Sequence, residues 1–246
     1  MNKNIKNYLA VGASSGIGRV FVERKIQEGH KVAVLGRDPR GLALTSKSRF
    51  FEIDLLKSSI VSSIANEALV WLDSLDYILF SQRARETNSE NENEFRVSVE
   101  ATCQIMDLSL PYFNREGSPA VVVISSVSSK FILPETNLRY HISKASLDNL
   151  TRWYAVKWGK LKIRVNAIAP GAVIKPSNEK WHKENSTLAK KKSMLIPRNK
   201  IPTASEISNV IDFLFSAKSS IINGQVIVTD AGMSLIGHES IYPDLK

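Results

Sequence analysis

The sequence predicts an α/β fold, a single doubly wound parallel sheet with helices on both faces. Short apolar, β-branched runs typical of buried strands alternate with helical spacing along the whole chain of 246 residues. A glycine-rich turn joins the first such run to the first helical stretch. Neither a low-complexity linker nor a repeat divides the chain. Because parallel strands need right-handed crossovers, this alternation predicts one domain over residues 1–246.

The predicted elements follow one another in regular order. Strands are expected at 8–11, 31–35, 50–55, 77–80, 120–124, 163–168 and 225–229. Helices are expected at 19–28, 60–71, 95–113, 139–157 and 205–215, with Thr203 or Ser205 as the N-cap of the last. Residues 81–94 are polar and are predicted to form a loop.

Composition narrows the class of protein. Apolar residues make up 43% of the chain and charged residues 23%, both ordinary for a globular protein. The single cysteine, Cys103, lies in an apolar helical pattern and is predicted to be a small core residue. No Cys/His cluster has metal-ligand spacing, so we predict no metal. No apolar run reaches membrane-span length and the N-terminus lacks a signal-peptide core, so we expect a cytoplasmic protein without a membrane partner.

Positive charge is concentrated in one stretch. The net charge is +9, and residues 172–200, with eight Lys/Arg and two Glu, supply +6 of it. Such a run is either a solvated face or a surface for an anion. Trp181 is the only aromatic residue in the stretch, so there is no series for stacking bases, and we predict no nucleic-acid partner.

The glycine-rich turn predicts a phosphate site. Gly12, Ser14, Ser15, Gly16, Ile17 and Gly18 lie between the first strand and the first helix. A turn of this kind directs backbone N–H groups and the positive end of a helix at one point, which favours a dinucleotide pyrophosphate. The other interpretation is a tight strand-to-helix connection without a ligand.

The end of the second strand indicates which dinucleotide is bound. In a doubly wound sheet this position lies beside the adenosine ribose, where an acidic residue would accept from a 2′-OH. Here Gly36 is followed by Arg37, which suits a 2′-phosphate, so we predict NADP as the cofactor. The alternative is an exposed turn arginine. Asp54 is predicted at the carboxyl end of the third strand, where ligands lie in open parallel sheets.

Three polar residues predict acid–base chemistry. Tyr140 and Lys144 are four apart on a predicted helix, hence on one face. An ammonium about 4 Å from the phenol would lower its pKa by up to about three units, towards the range useful at neutral pH. Ser126 follows the central strand, where its hydroxyl can hold a substrate oxygen.

Together these motifs resemble the short-chain dehydrogenase/reductase family from end to end. The resemblance rests on the glycine turn, Asp54-Leu55, Ser126 with Tyr140 and Lys144, residues 164–171, residues 222–225 and residues 230–232. It implies a Rossmann-type fold, adenine contact at Asp54 and Leu55, and further cofactor contacts at Pro170, Gly171 and Val173. It also implies that Tyr140 is the general acid or base, that Lys144 lowers its pKa and binds the nicotinamide ribose, and that Ser126 orients the carbonyl.

The chain departs from the family pattern at three places. Residues 80–83, Phe-Ser-Gln-Arg, replace Asn-Asn-Ala-Gly, and Ile174-Lys175 replaces a Thr that touches the carboxamide. Ser98 stands where the family has its catalytic Asn, so we include Ser98 among the catalytic candidates. These departures leave the Tyr–Lys pair intact.

We therefore predict an NADP-dependent oxidoreductase that acts on a small carbonyl or alcohol, and a homo-tetramer or dimer as in much of the family. The alternative is a cofactor-binding regulatory or scaffold protein with weak or no turnover. In the family the region after the sixth strand is a lid over the substrate, and here it is the basic segment 172–200. With Arg83, Arg85 and Arg139 it predicts an anionic substrate, such as a nucleotide-linked sugar, a sugar acid or a carrier-bound acyl chain.

Overall fold

Parallel strands form the centre of the molecule. The computed structural model of the chain describes residues 5–84 and 93–237, and within these ranges the sheet has seven strands in the order β3-β2-β1-β4-β5-β6-β7. The strands are β1 Asn7–Val11, β2 Lys31–Gly36, β3 Ser48–Glu52, β4 Tyr77–Phe80, β5 Ala120–Ile124, β6 Arg164–Pro170 and β7 Val226–Thr229. All neighbouring pairs are parallel. The strand order reverses direction between β1 and β4, which confirms the doubly wound sheet.

Helices connect the strands. They are α1 Gly16–Gln27, α2 Ser58–Leu72, α3 Asn93–Phe95, α4 Ala101–Ser109, α5 Leu138–Gly159, α6 Glu179–Glu184, α7 Ser186–Met194 and α8 Ala204–Phe215. A π-helical turn, Arg96–Glu100, joins α3 to α4, and a 3₁₀ turn, Leu110–Tyr112, ends that run. The long helix predicted at 95–113 is therefore one helical run with a local widening around Ser98.

The sheet is covered on both faces because its strands are apolar on both faces. Residues that alternate along β1 enter different cores: Leu9 and Val11 face α2, α4 and α5, whereas Tyr8 and Ala10 face α1 and α8. Trp158 of α5 is 1% exposed and packs edge-on against Phe113 in the first core. Partly buried Cys103 packs against the same core, as its apolar pattern predicts.

Some boundaries differ from the prediction for physical reasons. β3 ends at Glu52, two residues before Asp54, so Asp54 lies in the following turn, where its carboxylate accepts from the Leu56 N–H at 3.1 Å. β6 continues to Pro170, which pairs with Thr229 at the end of the ladder. Of the two N-cap candidates for α8, Thr203 is the cap and forms a reciprocal capping box with Glu206.

The basic segment 172–200 contains α6 and α7 and lies on the surface. Part of its charge is paired locally: Lys183 contacts Glu179 at 2.9 Å, and Lys180 contacts Glu184 at 3.6 Å. In the portion of the chain that the structure describes, no helix is both long and apolar enough to cross a bilayer.

Candidate active site

The glycine turn holds β1, α1 and the loop after β4 in close contact. Gly12 has φ +69°, a backbone conformation that disfavours a side chain, and a Cβ there would lie 2.4 Å from the Gln82 Cα. Gly16, the first residue of α1, also has a positive φ, and a Cβ there would meet the Lys175 Cδ at 3.7 Å, an ordinary contact. Gly12 is thus in close contact with the loop after β4, and Gly16 lines a cleft at the N-terminus of α1.

One end of this cleft extends from the glycine turn to the ends of β2 and β3. Its cavity volume is about 110 Å³. Predicted site residues that line it are Gly12, Ser14, Ser15, Arg37, Asp54 and Leu55. Asp38 and Arg40 line it as well, and the Asp38 carboxylate accepts from the Arg40 N–H at 2.7 Å. The structure thus places the predicted adenosine-binding residues around one cavity.

The other end of the cleft lies at the carboxyl ends of β4, β5 and β6. It shares Ser15, Ser81, Gln82 and Arg83 with the first end, so the two ends form one continuous surface. Predicted residues that line it are Gly16, Ile17, Ser126, Tyr140, Lys144, Pro170, Gly171 and Val173. Gly18 and Ser98 lie behind the wall, and a Cβ on Gly18 would be 2.6 Å from the Ser81 Oγ.

Ser126, Tyr140 and Lys144 meet at this end. Ser126 follows β5 and its hydroxyl oxygen accepts from the Ser128 N–H at 3.1 Å, which leaves the hydroxyl proton for its hydrogen bond with the Tyr140 phenol. Lys144 is 3% exposed, and its ammonium donates to the Ile124 carbonyl at 3.0 Å. The Lys144 Nζ lies 5.4 Å from the centre of the Tyr140 ring. The three predicted catalytic side chains thus form one cluster.

The prediction that the pKa of Tyr140 is lowered towards neutral is wrong in direction. Burial raises the pKa of the Tyr140 phenol above its ordinary value, and the Ser126 hydrogen bond and the Arg83 guanidinium oppose this only in part. Burial also lowers the pKa of Lys144 to about 8. Sequence spacing gives the separation of two groups along a helix but not the desolvation that dominates here. At neutral pH the phenol therefore keeps its proton.

Two cations enter the cleft from segments that depart from the family pattern. Arg83 lines both ends, and its guanidinium lies 5.3 Å from the centre of the Tyr140 ring. Lys175 lines the Tyr140 end. Arg85, which the sequence also assigned to this region, falls outside the described residues. Arg139 is exposed at the start of α5.

Glu94 is a buried carboxylate behind the wall of the cleft that the sequence pattern does not predict. Glu94 is 0% exposed and accepts from the Ser98 hydroxyl at 2.6 Å and from the Ala84 N–H at 2.9 Å. Ser98, predicted as catalytic, is likewise 0% exposed, so its hydroxyl contacts Glu94 rather than the cleft. The four-residue spacing of Glu94 and Ser98 would place both on one face of a helix. This spacing indicates nothing when residues 81–94 are predicted to form a loop.

A parallel sheet with a glycine turn, and a serine, a tyrosine and a lysine in the same cleft, are features of the dinucleotide-dependent class of oxidoreductases. The chain matches the model of a family described as enoyl-(acyl carrier protein) reductase over residues 12–234. It is 27% identical to glucose 1-dehydrogenase of Gluconobacter oxydans (strain 621H), covering 94% of this chain and 93% of that protein.

Two solved structures share the fold. Aldohexose dehydrogenase of Thermoplasma acidophilum superposes with a TM-score of 0.80 at 24% identity, covering 95% of this chain and 96% of that one. ElxO, solved with NADP bound, gives 0.82 at 21% identity, covering 94% and 100%. The chain belongs to the short-chain dehydrogenase/reductase family, whose cofactor is a nicotinamide dinucleotide.

Proposed function

We propose that this protein is an NADP(H)-dependent oxidoreductase that interconverts a small carbonyl compound and its alcohol. The observation that carries the proposal is the meeting of Ser126, Tyr140 and Lys144 in a cleft continuous with the glycine turn. The nicotinamide, when bound, supplies or accepts the hydride. The glycine turn fits the pyrophosphate because the start of α1 lines the cleft, where the flexible stem of Lys175 makes an ordinary contact with it.

The chain's own residues carry the proton chemistry. When substrate binds, Ser126 turns its one hydroxyl proton from Tyr140 to the substrate oxygen and orients the carbonyl. Tyr140 delivers its proton as negative charge develops on that oxygen. The Lys144 ammonium stabilises the phenolate that remains. Because burial raises the pKa of Tyr140, the phenol holds the proton that it donates when a carbonyl is reduced.

The NADP preference rests on Arg37. Its position directly after β2, in the lining of the adenosine end of the cleft, supports contact with a 2′-phosphate. The NADP-bound relative of the same fold is consistent with this. We expect NADPH to bind more tightly than NADH, and Arg37→Asp to reverse or abolish the preference. Arg115→Asp, an exposed arginine in a distant turn, is the matched control, and equal affinities for both cofactors in the wild type would contradict the proposal.

We further propose an anionic substrate, held by Arg83 and by Lys175 at the start of the lid rather than by the lid lysines at 190–192. Arg83 and Lys175 line the Tyr140 end of the cleft, whereas Lys190 lines a separate cavity between α6 and α7. The sugar dehydrogenases among the relatives favour a sugar acid or a nucleotide-linked sugar within the predicted set.

Salt dependence tests the anion proposal. For an anionic substrate the KM should rise between low and physiological ionic strength. Arg83→Gln should flatten that dependence. The triple change of Lys190, Lys191 and Lys192 to Gln, which removes exposed charge outside the cleft, should leave it. A best substrate that is neutral and insensitive to salt would contradict the proposal.

We also propose a homo-oligomer that uses the outer face of α5. Leu138, Ile142, Trp153 and Val156 are exposed on this helix, and Val156 is 82% exposed. A tetramer or dimer of twofold symmetry would cover these side chains. A monomer at micromolar concentration in light scattering would contradict this part of the proposal.

A carbonyl screen tests the function itself. The purified protein is mixed with NADPH or NADH and a panel of aldoses, sugar acids, nucleotide-linked sugars and carrier-bound acyl compounds while the absorbance of the reduced cofactor is followed. Oxidation of NADPH by at least one compound supports the proposal. Tight NADPH binding with no turnover across the panel would favour the regulatory or scaffold alternative.

A further inference from the structure

Glu94 occupies a position that a carboxylate rarely takes without a counter-charge. The side chain is wholly buried, and its two oxygens accept from the Ser98 hydroxyl and the Ala84 N–H. Among residues 5–84 and 93–237, the donors to Glu94 are these two, and both are neutral. A fully buried carboxylate is costly unless positive charge lies nearby, so its surroundings are informative.

A hydrogen-bonded network ties Glu94 to the wall of the cleft. Gln82, which lines the cleft, donates from its Nε2 to the Thr102 hydroxyl at 2.6 Å, and that hydroxyl donates to the Ser98 carbonyl at 2.7 Å. Ala84 and Gln82 flank Arg83, whose guanidinium lies over the Tyr140 ring. The short helix α3, which carries Glu94, packs against α5, which carries Tyr140 and Lys144. Glu94 is thereby hydrogen-bonded to the segment that carries Arg83 and lies on a helix packed against the one that carries Tyr140 and Lys144.

Lys144 has charged groups of both signs around it. Arg83 and Lys175 lie on the side of the cleft, and Glu94 and Asp148 lie on the protein side. Asp148, one turn along α5, already accepts from the Ser125 hydroxyl. Burial lowers the pKa of Lys144, Arg83 and Lys175 lower it further, and Glu94, ahead of Asp148, opposes them. Two more cations near a buried ammonium would drive off its proton without such a carboxylate.

We propose that Glu94 is a positioning residue that keeps Lys144 charged while Arg83 and Lys175 draw an anion into the same cleft. This assignment rests on the proposed function, because the proposed reaction requires a charged Lys144 ammonium. Ser98 takes part by holding the Glu94 carboxylate, not by contacting substrate. The departures at Arg83, Lys175 and Ser98 then belong together, since two added cations are balanced by one buried carboxylate.

The first test needs no turnover. Free energies of unfolding are measured in urea at pH 7 for the wild type, Glu94→Gln, Lys144→Met and the double variant, without cofactor. Electrostatic coupling predicts that Glu94→Gln is clearly less costly in the Lys144→Met background than in the wild type. Additive effects of the two changes would overturn the proposal. Because no catalysis is measured, this result stands apart from the fate of the proposed function.

The second test is the pH profile of kcat/KM with the best substrate of the carbonyl screen. Activity should fall as pH rises through the pKa of Lys144, and Glu94→Gln should move that fall to lower pH by about one unit. Glu100→Gln, an exposed carboxylate on the same helical run, is the control and should leave it in place. Asp148→Asn should move it less than Glu94→Gln. If kcat/KM of Glu94→Gln falls at the same pH as that of the wild type, on this high-pH limb of the profile, the proposal is overturned.

A conservative variant separates charge from packing. Glu94→Asp keeps the carboxylate but draws it back by one methylene, so the limb should move in the same direction and by less. If Glu94→Gln does not fold, Glu94→Asp alone decides: a limb that stays at the wild-type pH contradicts the proposal. A wild type that shows no turnover with any carbonyl refutes the proposed function, and the unfolding cycle then judges Glu94 by itself.

Discussion

Replacing Gly12 by alanine tests how tightly the glycine turn holds the cleft. The new Cβ would lie 2.4 Å from the Gln82 Cα and 2.6 Å from the Gln82 N, so backbone has to move. A non-glycine residue in the left-handed region costs about 1–2 kcal/mol. Forcing extra volume into a packed contact costs about 1–3 kcal/mol. Gly12→Ala should therefore lower the free energy of unfolding by about 2–5 kcal/mol, a large share of the stability of a typical domain.

Gly29→Ala is the matched control because it separates strain from crowding. Gly29, after the end of α1, also has a positive φ, +84°, but nothing lies within 4 Å of its Cβ position. This variant should lose only the roughly 1–2 kcal/mol of backbone strain. Urea unfolding followed by tryptophan fluorescence measures both variants.

The same two variants test whether the contact between Gly12 and Gln82 shapes the cleft. Gln82 lines both ends of the cleft, so Gly12→Ala should also weaken NADPH binding, whereas Gly29→Ala should leave it unchanged. If Gly12→Ala is no more destabilising than Gly29→Ala, the close approach between the glycine turn and the loop after β4 is not a constraint. The account of the cleft wall would then be refuted.

Three further predictions concern stability. Thr203→Ala removes the reciprocal cap of α8 and should cost about 1 kcal/mol in urea unfolding, and an unchanged midpoint would contradict the cap. Trp158→Ala removes a fully buried ring from the larger core and should cost about 3–5 kcal/mol; a loss below about 1 kcal/mol would contradict its core role. The pKa of Lys144 is about 8 in the folded state and 10.5 ordinarily, so the unfolded state binds more protons between these values. Unfolding free energy should therefore rise with pH across this window by roughly 3 kcal/mol relative to Lys144→Met, and parallel curves for the two proteins would contradict it.

Much of the fold could be predicted because strand patterns and the glycine turn are local signals. All seven predicted strands are present, and β5, Ala120–Ile124, matches its predicted bounds, because a β-branched apolar run between polar residues has little freedom to shift. The end of β3 was harder, since Asp54 continues an alternating pattern but leaves the ladder to cap a turn. The predicted sixth strand ends at 168, whereas β6 continues to Pro170, because the last residue of a strand does not need its N–H.

The candidate site was predictable in its membership but not in its electrostatics. Ser126, Tyr140 and Lys144 were found from spacing and strand position, which fix where side chains start. The direction in which the pKa of Tyr140 shifts depends on burial, and spacing along one helix carries no information on burial. Glu94 was missed for the same reason: an acidic residue in a polar stretch is ordinarily exposed, and only the packing of α3 against α5 buries it.

Turnover of Tyr140→Phe tests whether Tyr140 transfers the proton to the substrate. The variant deletes the phenolic hydroxyl and keeps the ring under Arg83, so NADPH affinity should stay within about twofold while kcat falls by about 10²–10⁴-fold. Tyr112→Phe, which removes a hydroxyl bonded to Asn66 away from the cleft, should leave both quantities unchanged. Turnover of Tyr140→Phe within a few-fold of the wild type would mean that another residue transfers the proton.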